Sequence, residues 1–103
     1  MRRVRVSVTA TNGLETLLAQ GMPKFGLTVI LEKRALLYTA IEPRLAQQPR
    51  AGTSSNGEPF YHYQVRNTPF TVIYEFDDDE LRVLFIAHKS QDRRLLNPAD
   101  VEW

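Results

Sequence analysis

Residues 85–93, FIAHKSQDR, place a histidine and basic side chains directly after an apolar run. The run from Leu81 to Ala87 is typical of a core strand, and it stops at His88. An imidazole can transfer a proton near neutral pH, and a lysine or arginine beside it can bind a phosphate. The stretch is therefore either a strand end that runs into water or a functional edge that binds nucleic acid or protein. The polar candidates that follow His88 are Lys89, Gln91, Asp92 and Arg93.

Arg66 is the second candidate, because the alternation of side chains along the predicted strands places it in the same row as His88. Its strand is expected to lie two strands away, about 10 Å, so that both side chains could reach one phosphate. By the same geometry His62 lies about 17 Å from His88, too far for an acid–base pair on one reacting group. An enzyme would have to pair His88 with Lys89, Asp92 or the residues that follow.

Composition excludes several classes of site. The chain has 103 residues, which suits a single domain, and it has no cysteine for a disulfide, a thiolate metal site or a thiol nucleophile. Its net charge of +1 is too small for nucleic-acid binding by bulk charge. The acids at 77–80, DDDE, are interpreted as a solvated turn rather than a Mg²⁺ site, since no partner acids are expected nearby. We expect no metal, no cofactor, no membrane partner and a cytoplasmic location.

The hydrophobic pattern changes its period twice along the chain. RVRVSVT alternates strictly and predicts a first strand within residues 1–10. A helical hairpin is predicted over 11–48, with Asn12 as N-cap and a break between Gly21 and Pro23. A three-strand meander is predicted over 58–89, and residues 90–103 form a tail, in which Asn97 and Pro98 could start a helical turn.

This order predicts an α+β fold with an antiparallel sheet, because strands and helices are segregated along the chain. The helices should cover one face of the sheet and leave the other face open. Phe70, Val72, Tyr74 and Phe76 should face the helices, and a hairpin around 77–80 should pair Glu75 with Arg82. The open face would then carry polar candidates and apolar residues that a partner could cover. They are His62, Gln64, Arg66, Thr71, Ile73, Leu84, Ile86 and His88.

Two segments resemble the RelE/ParE superfamily of toxins from type II toxin–antitoxin systems, often described as plasmid stabilisation proteins. RLAQQPRAG, with Leu45, Pro49 and Gly52, is similar to the L-x-x-x-P-x-x-G end of the helical hairpin in that family. YQVRNTPFTVIYEFDDDELRVLFIAHKSQD resembles its meander. The resemblance covers about residues 4–93 and implies an antitoxin protein as partner.

The family contains two activities, and the resemblance leaves both open. RelE-like members are metal-independent ribonucleases that cut mRNA on the ribosome, whereas ParE-like members inhibit DNA gyrase without being nucleases. For cleavage the remaining candidates are His88, Arg66 and Lys89. The ribonuclease branch usually carries basic residues where this chain has His62, Gln64, Thr71 and Gln91, with Arg93 nearby. These differences favour a ParE-like inhibitor, with the mRNA interferase and a non-toxic interaction module of the same fold as alternatives.

Overall fold

The computed structural model describes residues 2–54, 60–91 and 96–103, and it shows the predicted α+β architecture. One long helical element lies against a five-stranded sheet. The elements are β1 (Arg3–Val6), α1 (Val8–Thr39), a π-helical turn (Ala40–Leu45), a 3₁₀ turn (Pro49–Ala51), β2 (Thr53–Ser54), β3 (Tyr61–Gln64), β4 (Phe70–Phe76), β5 (Glu80–His88) and a second 3₁₀ turn (Pro98–Asp100).

The sheet has the strand order β1-β5-β4-β3-β2. The meander of β3, β4 and β5 is antiparallel as predicted, whereas β1 pairs with β5 in parallel, so the sheet is mixed. A parallel neighbour requires a crossover connection, which α1 and the meander provide. The short strand β2 adds an edge that the sequence pattern did not predict.

The first helix begins earlier than predicted. Ser7, not Asn12, is the N-cap, and its Oγ accepts a hydrogen bond of 2.8 Å from the backbone N–H of Ala10. The first strand therefore ends at Val6 instead of continuing through Val8. The alternating valines of RVRVSVT predicted a longer strand, but a helix with a serine N-cap can begin within such a run.

α1 folds back on itself at Gly26, which divides it into an N-terminal limb (residues 8–25) and a C-terminal limb (residues 27–39). Gly26 has φ 79° and ψ 168°, a conformation open to glycine. A Cβ on Gly21 would lie 2.7 Å from Cδ1 of Ile30, although nine residues of straight helix extend about 13 Å. The predicted hairpin is thus present, but its turn lies at Gly26 rather than at Gly21 to Pro23.

The core lies between the two limbs of α1 and one face of the sheet. Leu14, Leu37 and Leu45 pack there against the sheet. As predicted, four residues of β4 face the helices, with Phe76 at the margin of the cluster. The strand residues of this cluster include Phe70, Val72, Tyr74, Phe76, Leu81, Val83 and Ile86.

A β-bulge at Leu84 changes the predicted register of β4 and β5. The pairs Phe76–Leu81, Glu75–Arg82 and Tyr74–Val83 form as predicted, but Ile73 then pairs with Phe85. One extra residue in a strand reverses the facing of every residue beyond it. His88 therefore pairs with Phe70 instead of lying opposite Pro69, and it takes the helix-covered side of the sheet. Ile86 likewise joins the core beneath the helices rather than the open face.

The second face of the sheet is partly covered by the chain itself, which corrects the prediction that it is open. We call residues 96–103 the tail segment. Its Leu96 and Val101, together with Phe60, pack against this face of the sheet. They cover the apolar side chains of Ile73, Leu84, Phe85 and Ala87.

Polar contacts fix the end of the tail segment against the start of α1. The carbonyl of Glu102 accepts from the N–H of Val8 at 2.8 Å, and its own N–H donates to Oγ1 of Thr9 at 2.8 Å. The guanidinium of Arg5 lies 4.8 Å from the ring centre of Trp103. Asn97 caps the 3₁₀ turn as its sequence position suggested. No helix among the described residues is long and apolar enough to cross a membrane.

Candidate functional site

A groove opens where the helical hairpin meets one end of the sheet. Its walls are the two limbs of α1, the turn of residues 64–70 and residues 88–90, and its volume is about 900 Å³. We call it the cationic groove. It brings together Arg66, His88 and Lys89, the three residues that the sequence predicted as catalytic candidates. They meet on the helix side of the sheet, however, and not on the open face.

The turn between β3 and β4 holds Arg66 at the mouth of this groove. The N–H of Val65 donates to the carbonyl of Phe70 at 3.0 Å, and the N–H of Thr68 donates to the carbonyl of Val65 at 3.2 Å. Asn67 has φ 63°, a left-handed conformation that asparagine tolerates better than most residues. The β3–β4 pairing agrees with the predicted register, and Arg66 is exposed at its end.

His88 is half-buried, and its ring orientation is set by Ser90. The backbone N–H of Ser90 donates to Nδ1 of His88 at 3.1 Å, and Oγ of Ser90 lies 2.7 Å from the same atom. Because a backbone N–H can only donate, Nδ1 is an acceptor and the neutral ring carries its proton on Nε2. The basic nitrogen is thus occupied, and His88 would have to release Ser90 before it could take a proton from a substrate.

The electrostatic character of the groove comes from basic side chains. Lys24 and Lys33 of the helical hairpin join Arg66 and Lys89, and among residues 2–54, 60–91 and 96–103 no aspartate or glutamate lines the groove. Nζ of Lys33 donates to the carbonyl of Asn67 at 2.6 Å, which ties the C-terminal limb to the turn. The sequence analysis missed both lysines because it treated the helices only as a cover. Their position on either side of Gly26 was the available signal, since a turn of the hairpin brings its flanking residues together.

Of the residues predicted to bind on the second face, Thr71 and His62 lie away from this groove, whereas Gln64 at the end of β3 also lines it. Oγ1 of Thr71 donates to Oε1 of Gln64 at 2.9 Å, and Nε2 of Gln64 donates to the carbonyl of Thr68 at 3.0 Å. Thr71 is buried, and His62 is half-buried opposite Ile73. Gln91 is exposed beyond β5, whereas Asp92 and Arg93 lie outside the described residues.

The acidic turn at 77–80 binds its own backbone and Arg82. Oδ1 of Asp77 accepts from the N–H groups of Asp79 and Glu80, both at 2.9 Å. Arg82 forms ion pairs with Glu75, Asp77 and Glu80 at 3.0, 2.9 and 3.2 Å. The hydrogen bond from Arg82 lowers the pKa of Asp77 to about 2. In residues 2–54, 60–91 and 96–103 no group of three or more histidines and acids is placed to hold a metal ion.

Comparison with solved structures identifies the architecture. A chain of the chromosomal ParDE toxin–antitoxin system of Pseudomonas aeruginosa superposes with a TM-score of 0.71 at 15% identity, covering 85% of this chain and 96% of that one. The chain has the RelE/ParE fold. A copper-bound mutant toxin of Helicobacter pylori (TM-score 0.58, 16% identity, 87% and 97% covered) and YafQ of Escherichia coli (0.54, 18%, 94% and 100%) share it. No protein-family model and no curated protein sequence matches the chain.

Within this RelE/ParE fold, the segment that first suggested the family has a structural role. Leu45 is fully buried, and the hydroxyl of Tyr74 donates to the carbonyl of Pro49 while accepting from the N–H of Gly52. A Cβ on Gly52 would lie 2.3 Å from that hydroxyl oxygen, so only glycine fits. Burial raises the pKa of Tyr74 to about 12, which keeps the phenol protonated as a donor. The motif therefore fastens the end of the helical region to the centre of the sheet.

Proposed function

We propose that this protein is the toxin of a type II toxin–antitoxin module, acting in the cytoplasm as a ParE-like inhibitor of DNA gyrase. An antitoxin protein is its proposed partner. The shared fold with a chain of the ParDE system of P. aeruginosa supports a toxin, since the match extends over 85% of this chain. The identity of 15% makes the shared fold, rather than a shared site, the basis of this proposal.

The observation that favours an inhibitor over a nuclease is the occupied ring nitrogen of His88, whose Nδ1 accepts a hydrogen bond from the backbone N–H of Ser90. His88 lies on the helix side of the sheet, whereas Thr71 lies on the second face with its hydroxyl bound to Oε1 of Gln64. RNA cleavage needs a base at the 2′-hydroxyl, an acid at the leaving oxygen and cations at the phosphate in one place. With Nδ1 of His88 bound by Ser90, the described residues of the groove offer cations for binding but no unoccupied base.

A ribosome-dependent mRNA endoribonuclease remains the second candidate, because one specific observation favours it. Arg66, His88 and Lys89 line the same groove, so a phosphate held there would touch both cations and an imidazole N–H. This arrangement could bind a phosphate through two cations and a hydrogen bond from the imidazole, which meets one of the three requirements for cleavage.

Induced expression in Escherichia coli separates the two candidates and the non-toxic alternative. An inhibitor of gyrase should cause filamentation and a DNA-damage response, and the purified protein should block supercoiling of a relaxed plasmid by gyrase. A ribonuclease should instead stop translation within minutes and leave cut transcripts on ribosomes. Unimpaired growth at confirmed expression would contradict both toxin candidates and leave an interaction module of this fold.

Substitution of His88 provides the decisive comparison. We expect His88→Ala to leave growth inhibition unchanged, because an inhibitor of gyrase needs no proton transfer at this ring. Gln91→Ala, at an exposed residue beyond β5, serves as a matched control for surface change. A loss of toxicity in His88→Ala at equal expression, with loss of transcript cleavage, would replace the inhibitor proposal with the ribonuclease.

A further inference from the structure

The hydroxyl of Ser90 contacts the ring of His88 in an arrangement that the proposed function does not use. Oγ of Ser90 lies 2.7 Å from Nδ1 of His88, and the backbone N–H of Ser90 donates to the same nitrogen at 3.1 Å. Because Nδ1 is the acceptor, the hydroxyl must be the donor in the shorter contact. A serine hydroxyl that donates to an imidazole nitrogen within hydrogen-bond distance is the arrangement in which histidine activates serine as a nucleophile.

Two backbone hydrogen bonds hold this pair in place. The N–H of Lys89 donates to the carbonyl of Pro69 at 2.7 Å, and the N–H of Gln91 donates to the carbonyl of His88 at 2.9 Å. The second bond closes a turn that has Ser90 at its third position. His88 is half-buried at the end of β5, whereas Ser90 is exposed. The ring is therefore held by the protein, while the hydroxyl is accessible to a small molecule.

The surroundings of Ser90 combine cations with aliphatic side chains. Lys89 and Arg66 line the cationic groove together with Ser90, and Val29 and Ile30 line the helix side of the same groove. Guanidinium and ammonium groups bind phosphate oxygens, and aliphatic side chains bind the hydrocarbon part of a ligand. A ligand that suits this groove therefore carries both a phosphate and an apolar group near the atom that the serine attacks.

The two hydrogen bonds to Nδ1 limit which substrates this pair suits. When Nδ1 takes the proton of the hydroxyl, it becomes a donor and no longer accepts from the N–H of Ser90. The loss of that hydrogen bond opposes the proton transfer. The pair therefore suits a carbonyl compound with a good leaving group rather than an amide. Phosphate is such a leaving group, because it departs as a stable anion.

We propose that Ser90 is a nucleophile that accepts the acyl group of an acyl phosphate, with His88 as its general base. Oγ of Ser90 forms a bond to the carbonyl carbon while its proton passes to Nδ1 of His88. The bond between the carbonyl carbon and the phosphate oxygen then breaks, and the phosphate leaves with the electron pair and takes the proton from the imidazolium. The products are an acyl ester of Ser90 and inorganic phosphate, and nothing is oxidised or reduced.

The position of the cations favours an acyl phosphate over an acyl thioester of coenzyme A. In an acyl phosphate the phosphate is bonded directly to the reacting carbonyl carbon, so Lys89, the residue before Ser90, and Arg66 at the mouth of the groove are suitably placed to bind it. In acyl-coenzyme A the phosphates lie at the far end of a long pantetheine arm, away from the thioester.

The test treats the full chain with octanoyl phosphate and measures acylation by intact mass and peptide mapping. We expect an octanoyl group on Ser90 that hydroxylamine removes, as it removes an ester, and an equal amount of released phosphate. Ser90→Ala should prevent this modification. Ser54→Ala, which removes an exposed serine outside the groove, is the matched control and should be acylated like the parent.

Two further variants separate the base from the phosphate site. In His88→Gln the side chain cannot take the proton, so acylation of Ser90 should slow by about hundredfold. Arg66→Gln should raise the concentration of octanoyl phosphate that gives half the maximal rate by about tenfold and change the maximal rate little. Gln91→Ala and Arg3→Gln, at exposed residues outside the groove, are the controls. Circular dichroism confirms that all variants are folded.

Three results would overturn the proposal: acylation of lysine amines without an ester on Ser90, equal rates of acylation in the parent and in His88→Gln, or octanoyl-coenzyme A that acylates Ser90 as fast as octanoyl phosphate. The proposed toxin function is tested separately, by growth on expression. Acylation of Ser90 in a non-toxic protein would keep this inference, and a toxic protein without this ester would lose it alone.

Discussion

Two small residues, Ser7 and Gly13, determine how closely α1 approaches β5. Ser7 is fully buried, and its Oγ donates to the carbonyl of Leu84 at 2.8 Å while it accepts from the N–H of Ala10. Gly13 lies where a Cβ would stand 2.8 Å from the carbonyl oxygen of Ile86. The side chain of Ser7 thus binds the bulged strand β5. Because Gly13 has no side chain, α1 can lie directly on the backbone of that strand.

Replacement of Ser7 should therefore destabilise more than an ordinary loss of an N-cap. Ser7→Ala removes the cap of α1 and leaves the buried carbonyl of Leu84 without its side-chain donor. We expect a loss of about 2 kcal/mol in the free energy of unfolding, measured by urea denaturation. Thr16→Ala, which removes an exposed hydroxyl hydrogen bond within the same helix, is the control and should change stability little. Equal effects of the two substitutions would contradict the role of Ser7 at the bulge.

Gly13→Ala should reverse the usual effect of this substitution in a helix. Alanine normally stabilises a helix by about 1 kcal/mol relative to glycine. Here the new methyl group meets backbone that cannot move independently, so we expect a net loss of about 1–2 kcal/mol in the free energy of unfolding.

Gly21→Ala is the matched comparison for this prediction. Its nearest neighbour is Cδ1 of Ile30, the end of a flexible side chain that can rotate away. The cost at Gly21 should therefore be smaller in the same urea titration. A Gly13→Ala protein as stable as the parent would show that α1 does not lie so close to β5.

At the scale of elements, the hairpin between β4 and β5 is held by a cluster of charges around Arg82. Its guanidinium contacts three carboxylates, of which Asp77 also closes the turn through two backbone N–H groups. These interactions stabilise the charged form of Asp77, which is why its pKa falls. The predicted Glu75–Arg82 pair is part of this cluster.

The hairpin should contribute to stability at neutral pH and lose that contribution in acid. The pKa of Asp77 is about 2 in the folded protein, against an ordinary value of 3.8 for this side chain in an unfolded chain. As the pH falls from 3.8 towards 2, the unfolded chain takes up a proton that the folded protein does not, so stability falls in this window.

Asp77→Asn should therefore flatten the pH dependence of the free energy of unfolding between pH 5 and about pH 2.5, as measured in urea. Since Asp77 is exposed, the difference should shrink in about 1 M NaCl. Asp78→Asn, at the next exposed position, is the control. A pH profile of Asp77→Asn that coincides with that of the parent would show that the turn does not depend on this carboxylate.

The sequence predicted these elements well where polar residues show which side of the sheet each strand residue faces, and poorly where such residues are missing. Glu75 and Arg82 fix the register near the turn, and that part of the pairing is correct. Beyond Val83 the run Leu84 to Ala87 is apolar throughout, so no polar residue in it shows that the strand contains the bulge at Leu84. The facing of His88 was wrong for this reason. The cationic groove was likewise hidden, because it depends on how the helical hairpin lies against β5.

At the scale of the whole molecule, the two sides of the sheet are covered in different ways. The helical hairpin covers one side and leaves the cationic groove at its end, while the tail segment covers apolar residues on the other. The apolar second face therefore needs no partner to shield the residues that the tail segment already contacts.

Release of the tail segment should expose that face. Val101→Asp places a charge among Ile73, Leu84 and Phe85, and we expect it to cost about 1–3 kcal/mol and detach residues 96–103. The fluorescence of anilinonaphthalene sulfonate should rise, and the amides of Val8 and Thr9, which donate to Glu102, should exchange faster with solvent. Asp100→Asn, an exposed change in the same segment, is the control. Unchanged dye binding and exchange in Val101→Asp would mean that the tail segment does not shield the sheet.

The bulge in β5 also bears on how residue roles can be transferred between relatives. An alignment treats the histidine that ends this strand as one column, yet the direction of its side chain depends on whether Leu84 has a counterpart. Two proteins of this fold can thus have the same residue at the same aligned position and yet place its side chain on opposite faces of the sheet. The number of residues between the acidic turn and the histidine, rather than the identity of the aligned residue, distinguishes the two arrangements.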